Sequence, residues 1–216
     1  MLGAVHVSEL WCYPVKSLRG ERLDAAHVQS DGVVGDRSVM VFDGDGGFVT
    51  ARTCPGLLGL SATHGSSTLV NGQAWDSEAA GHAVREAAGP NAHLAASAGH
   101  RRRFDDTPIL VATDGAIESL SLDGRRLRPN VVVAGVDGLA ERDWVGSVLR
   151  AGGVELHVTR LCRRCVVTTF DPDTLEQDAS VLKRINAELD GRVALNCTVR
   201  RPGRVRLGDA VELVRP

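Results

Sequence analysis

Leu161-Cys162-Arg163-Arg164-Cys165-Val166-Val167-Thr168-Thr169-Phe170-Asp171-Pro172-Asp173 places two thiols and two guanidiniums directly before a β-branched run. Val-Val-Thr-Thr-Phe has strand composition, and Asp-Pro-Asp is a turn that ends it. If the strand reaches back to Arg163, alternation puts Arg163, Cys165, Val167 and Thr169 on one face and Cys162, Arg164, Val166 and Thr168 on the other. Cys165 is then a thiol on a rigid element with cations beside it, an environment that favours the thiolate, the nucleophilic and metal-binding form.

Outward from this stretch the chain reads as many short strands with few helices. Residues 154–160 form the strand that leads into it. Residues 179–189 form an amphipathic helix, with Val181, Leu182, Ile185 and Leu189 at helical spacing. Residues 203–214 alternate and read as a hairpin turning at Gly208-Asp209. Upstream, Ile109–Ala112 and Val131–Ala134 are apolar strands, and Thr113 or Asp114 caps a two-turn helix running to Leu120. In the first half, residues 4–12 and 22–29 are strands around a loop bounded by Pro14 and Gly20. Ser38–Phe42 and Phe48–Arg52 form a hairpin over the Asp43–Gly47 turn, and short strands fill 57–75. Residues 78–88 form a helix, 93–97 a strand, and Arg101–Arg103 a solvated basic turn. The pattern predicts a mainly β (α+β) chain, most simply a closed barrel with peripheral helices. A division near residue 100 is expected, giving a β-rich region over 1–100 and the barrel over 101–216.

Net charge is −2 over 216 residues, so no bulk attraction to nucleic acid or membrane is expected. No apolar run is long enough to span a bilayer and no secretory leader is evident, so a cytoplasmic protein with reduced thiols is expected. Five cysteines, an odd number, do not make a disulfide framework. The Cys-x-x-Cys leaves several chemistries open. Structural zinc needs two further ligands at finger-like spacing, which are missing. A thioredoxin-type dithiol wants a helix after the pair, where a strand is expected. A soft metal bound by one thiolate, with the other ligands from an anionic cofactor held by arginine, fits better. Two ordinary buried cysteines on a strand remain the plain alternative.

Cys165-Val-Val-Thr-Thr-Phe-Asp-Pro-Asp173 with Arg163-Arg164 resembles the cysteine motif of MOSC-domain proteins, nearest to the mitochondrial amidoxime-reducing components and their bacterial relatives. The likeness covers nearly the whole chain. Tyr13-Pro-Val-Lys-Ser17, Asp36-Arg37 and Val49-Thr-Ala-Arg52 resemble the N-terminal region, in a shortened form. Asp106-Thr-Pro108, Arg126-Leu-Arg-Pro-Asn130 and Gly203–Asp209 resemble the barrel. The resemblance implies a molybdenum cofactor, with Cys165 as the catalytic metal ligand. It implies cofactor contacts from Lys16, Ser17, Arg37, Thr107, Arg128, Asn130, Arg163 and Arg164. It also carries a family-level association with pyridoxal phosphate. The implied activity is reduction of N-hydroxylated small molecules with electrons from a separate flavin, haem or Fe–S protein. A non-catalytic carrier of cofactor, or of sulfur as a Cys165 persulfide, is the other reading.

Overall fold

In the computed structural model, which describes residues 4–97 and 103–216, the main sheet has eight strands, the three-residue Glu21–Leu23 and seven longer ones. The seven are β1 (His6–Cys12), β2 (Ile109–Thr113), β3 (Val131–Ala134), β4 (Val148–Ala151), β5 (Val154–Arg163), β6 (Arg192–Arg201) and β7 (Val211–Val214). Their order is β7-β4-β5-β6-β2-β3-β1, and Glu21–Leu23 extends the β1 edge. The start of β1 reaches back to β7. His6 bridges Ala210, Val7 N–H donates to the Asp209 carbonyl at 2.9 Å, and Val211 N–H donates to the Val5 carbonyl at 2.9 Å. This closes the sheet into the expected barrel and leaves the main sheet no free edge there.

Hydrophobic spacing sets the register. On β1, Val7 and Leu10 are three apart, which a regular strand would put on opposite faces. A bulge between Val7 and Glu9 inserts one residue and turns Val7, Leu10 and Cys12 all inward. They meet Ile109, Val111, Val131, Val158 and Leu195 in the barrel interior. A second core joins Val15, Leu18, Val39, Val41, Leu57 and Val70 under helix α1 (Glu78–Ala88). Ser77 caps α1 by accepting the Ala80 N–H at 3.3 Å. A third core packs α2 (Asp114–Ser119) and α3 (Ala179–Leu189) outside the barrel through Ala116, Leu120, Val181, Ile185 and Leu189. Thr113 is the residue that caps α2, accepting from Ala116 N–H at 3.2 Å.

Four expectations are corrected. The Val166–Thr169 run is a single 3-10 turn and not a strand, because β5 ends at Arg163. The hydroxyls decide this: Thr168 Oγ1 donates to the Cys165 carbonyl at 2.8 Å and Thr169 Oγ1 to that of Val166 at 2.6 Å. These back-bonds offer the chain a local alternative to a sheet ladder. Residues 203–214 do not form a hairpin. Gly203–Arg206 pairs with Ala25–Gln29, whereas β7 pairs with β4. Between them Gly208 takes φ +83°, and the Asp209 carboxylate accepts the Arg206 N–H at 2.8 Å, so the chain bends from one sheet to the other. The 22–29 strand is two pieces, Glu21–Leu23 and Ala25–Gln29, serving different sheets. The strand expected over 48–52 stops at Val49, freeing Thr50–Arg52 for a turn. Of the basic turn at 101–103, Arg101 and Arg102 lie outside the described residues, and Arg103 pairs with Asp31 at 2.9 Å.

Candidate functional site

β5 ends in the thiol motif at the rim of a cavity of about 600 Å³. All nine residues singled out from the sequence line it: Lys16, Ser17, Arg37, Thr107, Arg128, Asn130, Arg163, Arg164 and Cys165. They come from five separated segments, so the fold rather than sequence proximity brings them together. Three of them, Ser17 (φ +75°), Arg37 (φ +50°) and Arg128 (φ +55°), have left-handed backbone that a side chain disfavours. Strain of this kind collects at ligand sites, where the surrounding structure holds it.

The cavity is strongly cationic. Lys16, Arg37, Arg52, Arg128, Arg160, Arg163 and Arg164 line it, against two carboxylates, Asp105 and Asp106. Lys16 Nζ lies 2.9 Å from Asp105, and Arg52 lies 2.6 Å from the same carboxylate. Burial lowers the Lys16 pKa more than Asp105 raises it. Burial also raises the Asp105 pKa, but Lys16, Arg52 and Arg37 outweigh it and hold the carboxyl below its usual value. Burial lowers Arg37, while the adjoining, fully buried Asp36 more than compensates by ion pair and hydrogen bond. The Arg37 guanidinium also lies 5.2 Å from the Tyr13 ring centroid and 5.7 Å from that of Phe104.

Arg128 differs. It lies 4.3 Å from the Tyr13 ring centroid and donates to the Leu18 carbonyl at 2.7 Å. No carboxylate is within ion-pair distance among the described residues, and burial pushes its guanidinium down to about 10. Arg164 donates to the Leu127 carbonyl at 2.7 Å and to the Cys162 sulfur at 3.2 Å, and its buried Nε has no partner among the described residues. Arg163 is exposed and lines the cavity. Thr107 Oγ1 donates to the Ile109 carbonyl at 3.2 Å. Asn130 is the most committed of the nine: its buried amide accepts Leu110 N–H at 3.1 Å and donates to the Trp11 carbonyl at 3.4 Å, pinning β2 to β1 across the start of β3.

Both cysteines of the motif line this one cavity, which corrects their expected separation onto opposite faces. Strict alternation fails because β5 stops at Arg163 and its register shifts between Leu161 and Arg163. Each sulfur also has its own guanidinium: Arg164 for Cys162, and Arg52 for Cys165. Burial lowers Arg52, and the Cys165 sulfur and Asp105 together raise it above its usual value. Sequence reasoning left Arg52, Asp105, Asp106, Arg160, Asn196 and Cys162 out of the site. Asp106 is gripped by Arg160 Nε at 2.7 Å and by Asn196 Nδ2 at 2.6 Å. Arg52 and Asp106 stand inside motifs already noticed, whereas Arg160 and Asn196 carry no local signal.

Residues 73–212 match the model of the MOSC domain, and residues 4–107 match that of the MOSC N-terminal beta barrel domain. The chain belongs to the MOSC-domain family. Mitochondrial amidoxime-reducing component 1 from Homo sapiens is 25% identical over 280 aligned residues, covering 96% of this chain and 82% of that protein. Mitochondrial amidoxime reducing component 2 from Macaca fascicularis is 26% identical, covering 78% of this chain and 67% of its own length. The crystal structure of the YuaD protein from Bacillus subtilis superposes with a TM-score of 0.51 at 14% identity, covering 99% of this chain and 97% of that one. That last likeness concerns the fold alone.

MOSC domains are associated with molybdenum-cofactor binding, and the residues here fit such a group. Among the described residues no group of three or more His, Cys, Asp or Glu side chains is placed to hold a metal ion. The thiols supply a soft donor. The excess of cations, with Arg164 Nε unpartnered and Arg128 lacking a carboxylate, suits a phosphate-bearing molecule. The volume lies within the usual range for small-molecule sites. No helix of the described residues is long and apolar enough to cross a membrane.

Proposed function

We propose that this MOSC protein is a molybdenum-cofactor-dependent reductase of N-hydroxylated small molecules such as amidoximes and hydroxylamines. The observation that carries the reading is the convergence of a thiol, Cys165, with an excess of guanidiniums on one cavity. Lys16, Ser17, Arg37 and Arg128 would hold the anionic end of the cofactor, with Arg163 and Arg164 adding charge on the Cys165 side of the cavity. Cys165 is the protein's metal ligand. Arg52 lies next to it, between the sulfur and Asp105. When bound, the cofactor supplies a two-electron redox centre able to take the oxygen of an N–OH group. The overall conversion consumes two electrons and two protons and yields water with the amidine, from an amidoxime, or the amine, from a hydroxylamine. The electrons come from a separate donor protein.

The test is expression in a host that makes the cofactor, followed by metal analysis and benzamidoxime reduction with a chemically reduced viologen. We expect about one molybdenum per chain, as one site dictates, and turnover that is lost in Cys165→Ser. Zinc in place of molybdenum would refute the cofactor assignment. Molybdenum without turnover would refute the reductase and leave the carrier role.

A further inference from the structure

A second cavity, of about 140 Å³, adjoins the first and shares Arg128 and Val167 with it. We infer that it binds a planar aromatic anion. Its walls include Trp11, Tyr13, Phe170 and Pro172, with Arg19 and Arg128 at the charged side. Trp11 and Tyr13 lie nearly parallel, 19° between planes and 6.5 Å between centroids. Gly20 lets the backbone lie flat on Tyr13, since a Cβ there would come within 2.5 Å of the ring. A cavity of about 150 Å³ holds a benzene ring, so this one, at about 140 Å³, is sized for one ring and no larger ring system.

Charge selects the class of molecule. Four arginines line the cavity and no carboxylate does. Two of them are already answered: Arg126 by Asp171 at 3.0 Å, and Arg125 by Asp173 at 2.6 Å. Arg19 and Arg128 have no such partner among the described residues. Arg19 Nε is buried and makes no hydrogen bond among them. An unpaired buried donor on a cation is a standing destabilisation that a carboxylate relieves. The rings supply stacking and the unpartnered Arg19 guanidinium supplies the charge, so an aromatic carboxylate satisfies both. Val167 is two residues past Cys165, so the occupant lies against the wall of the thiol cavity. Its use as the recognition site for the aromatic end of a substrate rests on the reductase reading, whereas the binding itself does not.

The experiment titrates the full chain, without cofactor, with benzoate, following heat and tryptophan fluorescence. We expect saturable binding. Benzamide, which lacks the charge, and cyclohexanecarboxylate, which lacks the flat ring, should each bind about tenfold more weakly or worse. Arg19→Gln should lose about tenfold in benzoate affinity, and Phe170→Leu, a second variant in case the first does not fold, should also weaken it. Cys165→Ser should bind benzoate as wild type does, which separates this site from the thiol cavity. Absence of saturable benzoate binding, or full affinity in both cavity variants, overturns the inference. So does benzamide or cyclohexanecarboxylate binding as tightly as benzoate. None of these results depends on molybdenum content or turnover, so this inference and the reductase reading fail separately.

Discussion

Replacing Arg128 by Met should leave the empty protein about as stable as before while removing much of its anion affinity. Burial pushes the guanidinium down to about 10 from an ordinary 12.5. Keeping it charged at neutral pH therefore costs folding on the order of 3 kcal/mol, reduced to about 2 kcal/mol by the solvent contact the residue retains. The hydrogen bond to the Leu18 carbonyl returns about 1.5 kcal/mol. These terms nearly cancel, so Arg128→Met should change stability by under about 1 kcal/mol, a melting shift below roughly 4 °C. The pH dependence has a definite sign. The folded value lies below the unfolded one, so the penalty is fully present at neutral pH and lifts only as pH rises through the folded value. No Arg128-dependent slope is expected near neutrality. Anion binding should behave differently. Loss of one charge-assisted contact weakens inorganic phosphate by about ten- to hundredfold. The assay is thermal melting of both proteins across a phosphate series, where wild type gains about 2.7 kcal/mol at a hundred times its Kd. A variant that melts more than about 10 °C lower without phosphate, beyond the shift worked above, would show Arg128 to be a structural residue. A phosphate shift equal to wild type would remove it from the anion site.

Two further predictions concern the same cavity. Asp105→Asn should lower the melting temperature modestly at neutral pH, by the equivalent of about 1 kcal/mol or less, because that side chain is 55% exposed. Its folded pKa is depressed, so the carboxylate's contribution is present at neutral pH and fades as pH falls through that folded value. The variant should therefore lose part of the acid-side slope in melts run from neutral to acid pH. It should also bind inorganic phosphate more tightly, because Asp105 occupies Lys16 and Arg52 in the free protein; stability loss with no gain in phosphate affinity contradicts this. In a mass-spectrometric alkylation time course at mildly alkaline pH, Cys162 and Cys165, which line the cavity, should react before Cys12 and Cys197. The latter two are buried, and burial pushes both thiols well above their ordinary range. Equal rates for all four would mean that the cavity thiols are closed off.

The parts of this molecule that were legible in the sequence are those where local and tertiary preferences agree. Helix α1 spans the residues its composition indicates, with Ser77 capping it, and α3 buries Val181, Ile185 and Leu189 as their spacing requires. The barrel was readable because its strands are short, apolar and β-branched between turn residues, and Val154–Arg163 alternates over most of its length. The failures come where side-chain hydrogen bonds redirect the backbone. The β-branched Val166–Thr169 run is bent into a 3-10 turn by the two threonine hydroxyls. The last two strands divide at Gly208-Asp209 because each finds a better partner than the other, a choice that alternation does not encode. The cationic residues of the cavity were indicated by motif likeness, and their convergence needed the fold. Arg160 and Asn196 belong to adjacent strands in mutual register, and no short-range pattern ties them to Asp106.

The end of β5 governs the chemistry that the cavity can support. Had the strand run on through Phe170, Cys162 and Cys165 would point to opposite sides of the sheet and one thiol would be lost to the cavity. The 3-10 turn instead leaves Cys165 at the position just before its first residue, Val166, with a side chain that makes no capping bond to the turn. Cys162 has less freedom. Arg164 donates to its sulfur and, with the same guanidinium, to the Leu127 carbonyl, tying the strand end to the segment that carries Arg126 and Arg128. Removing Cys162 would release one of the two contacts that aim Arg164. Removing Cys165 would leave that tie intact and take away only the sulfur beside Arg52. In the proposed reading this divides the two thiols by role, Cys165 as ligand and Cys162 as a positioning group for Arg164. The division follows from which guanidinium each sulfur meets rather than from the face of a strand.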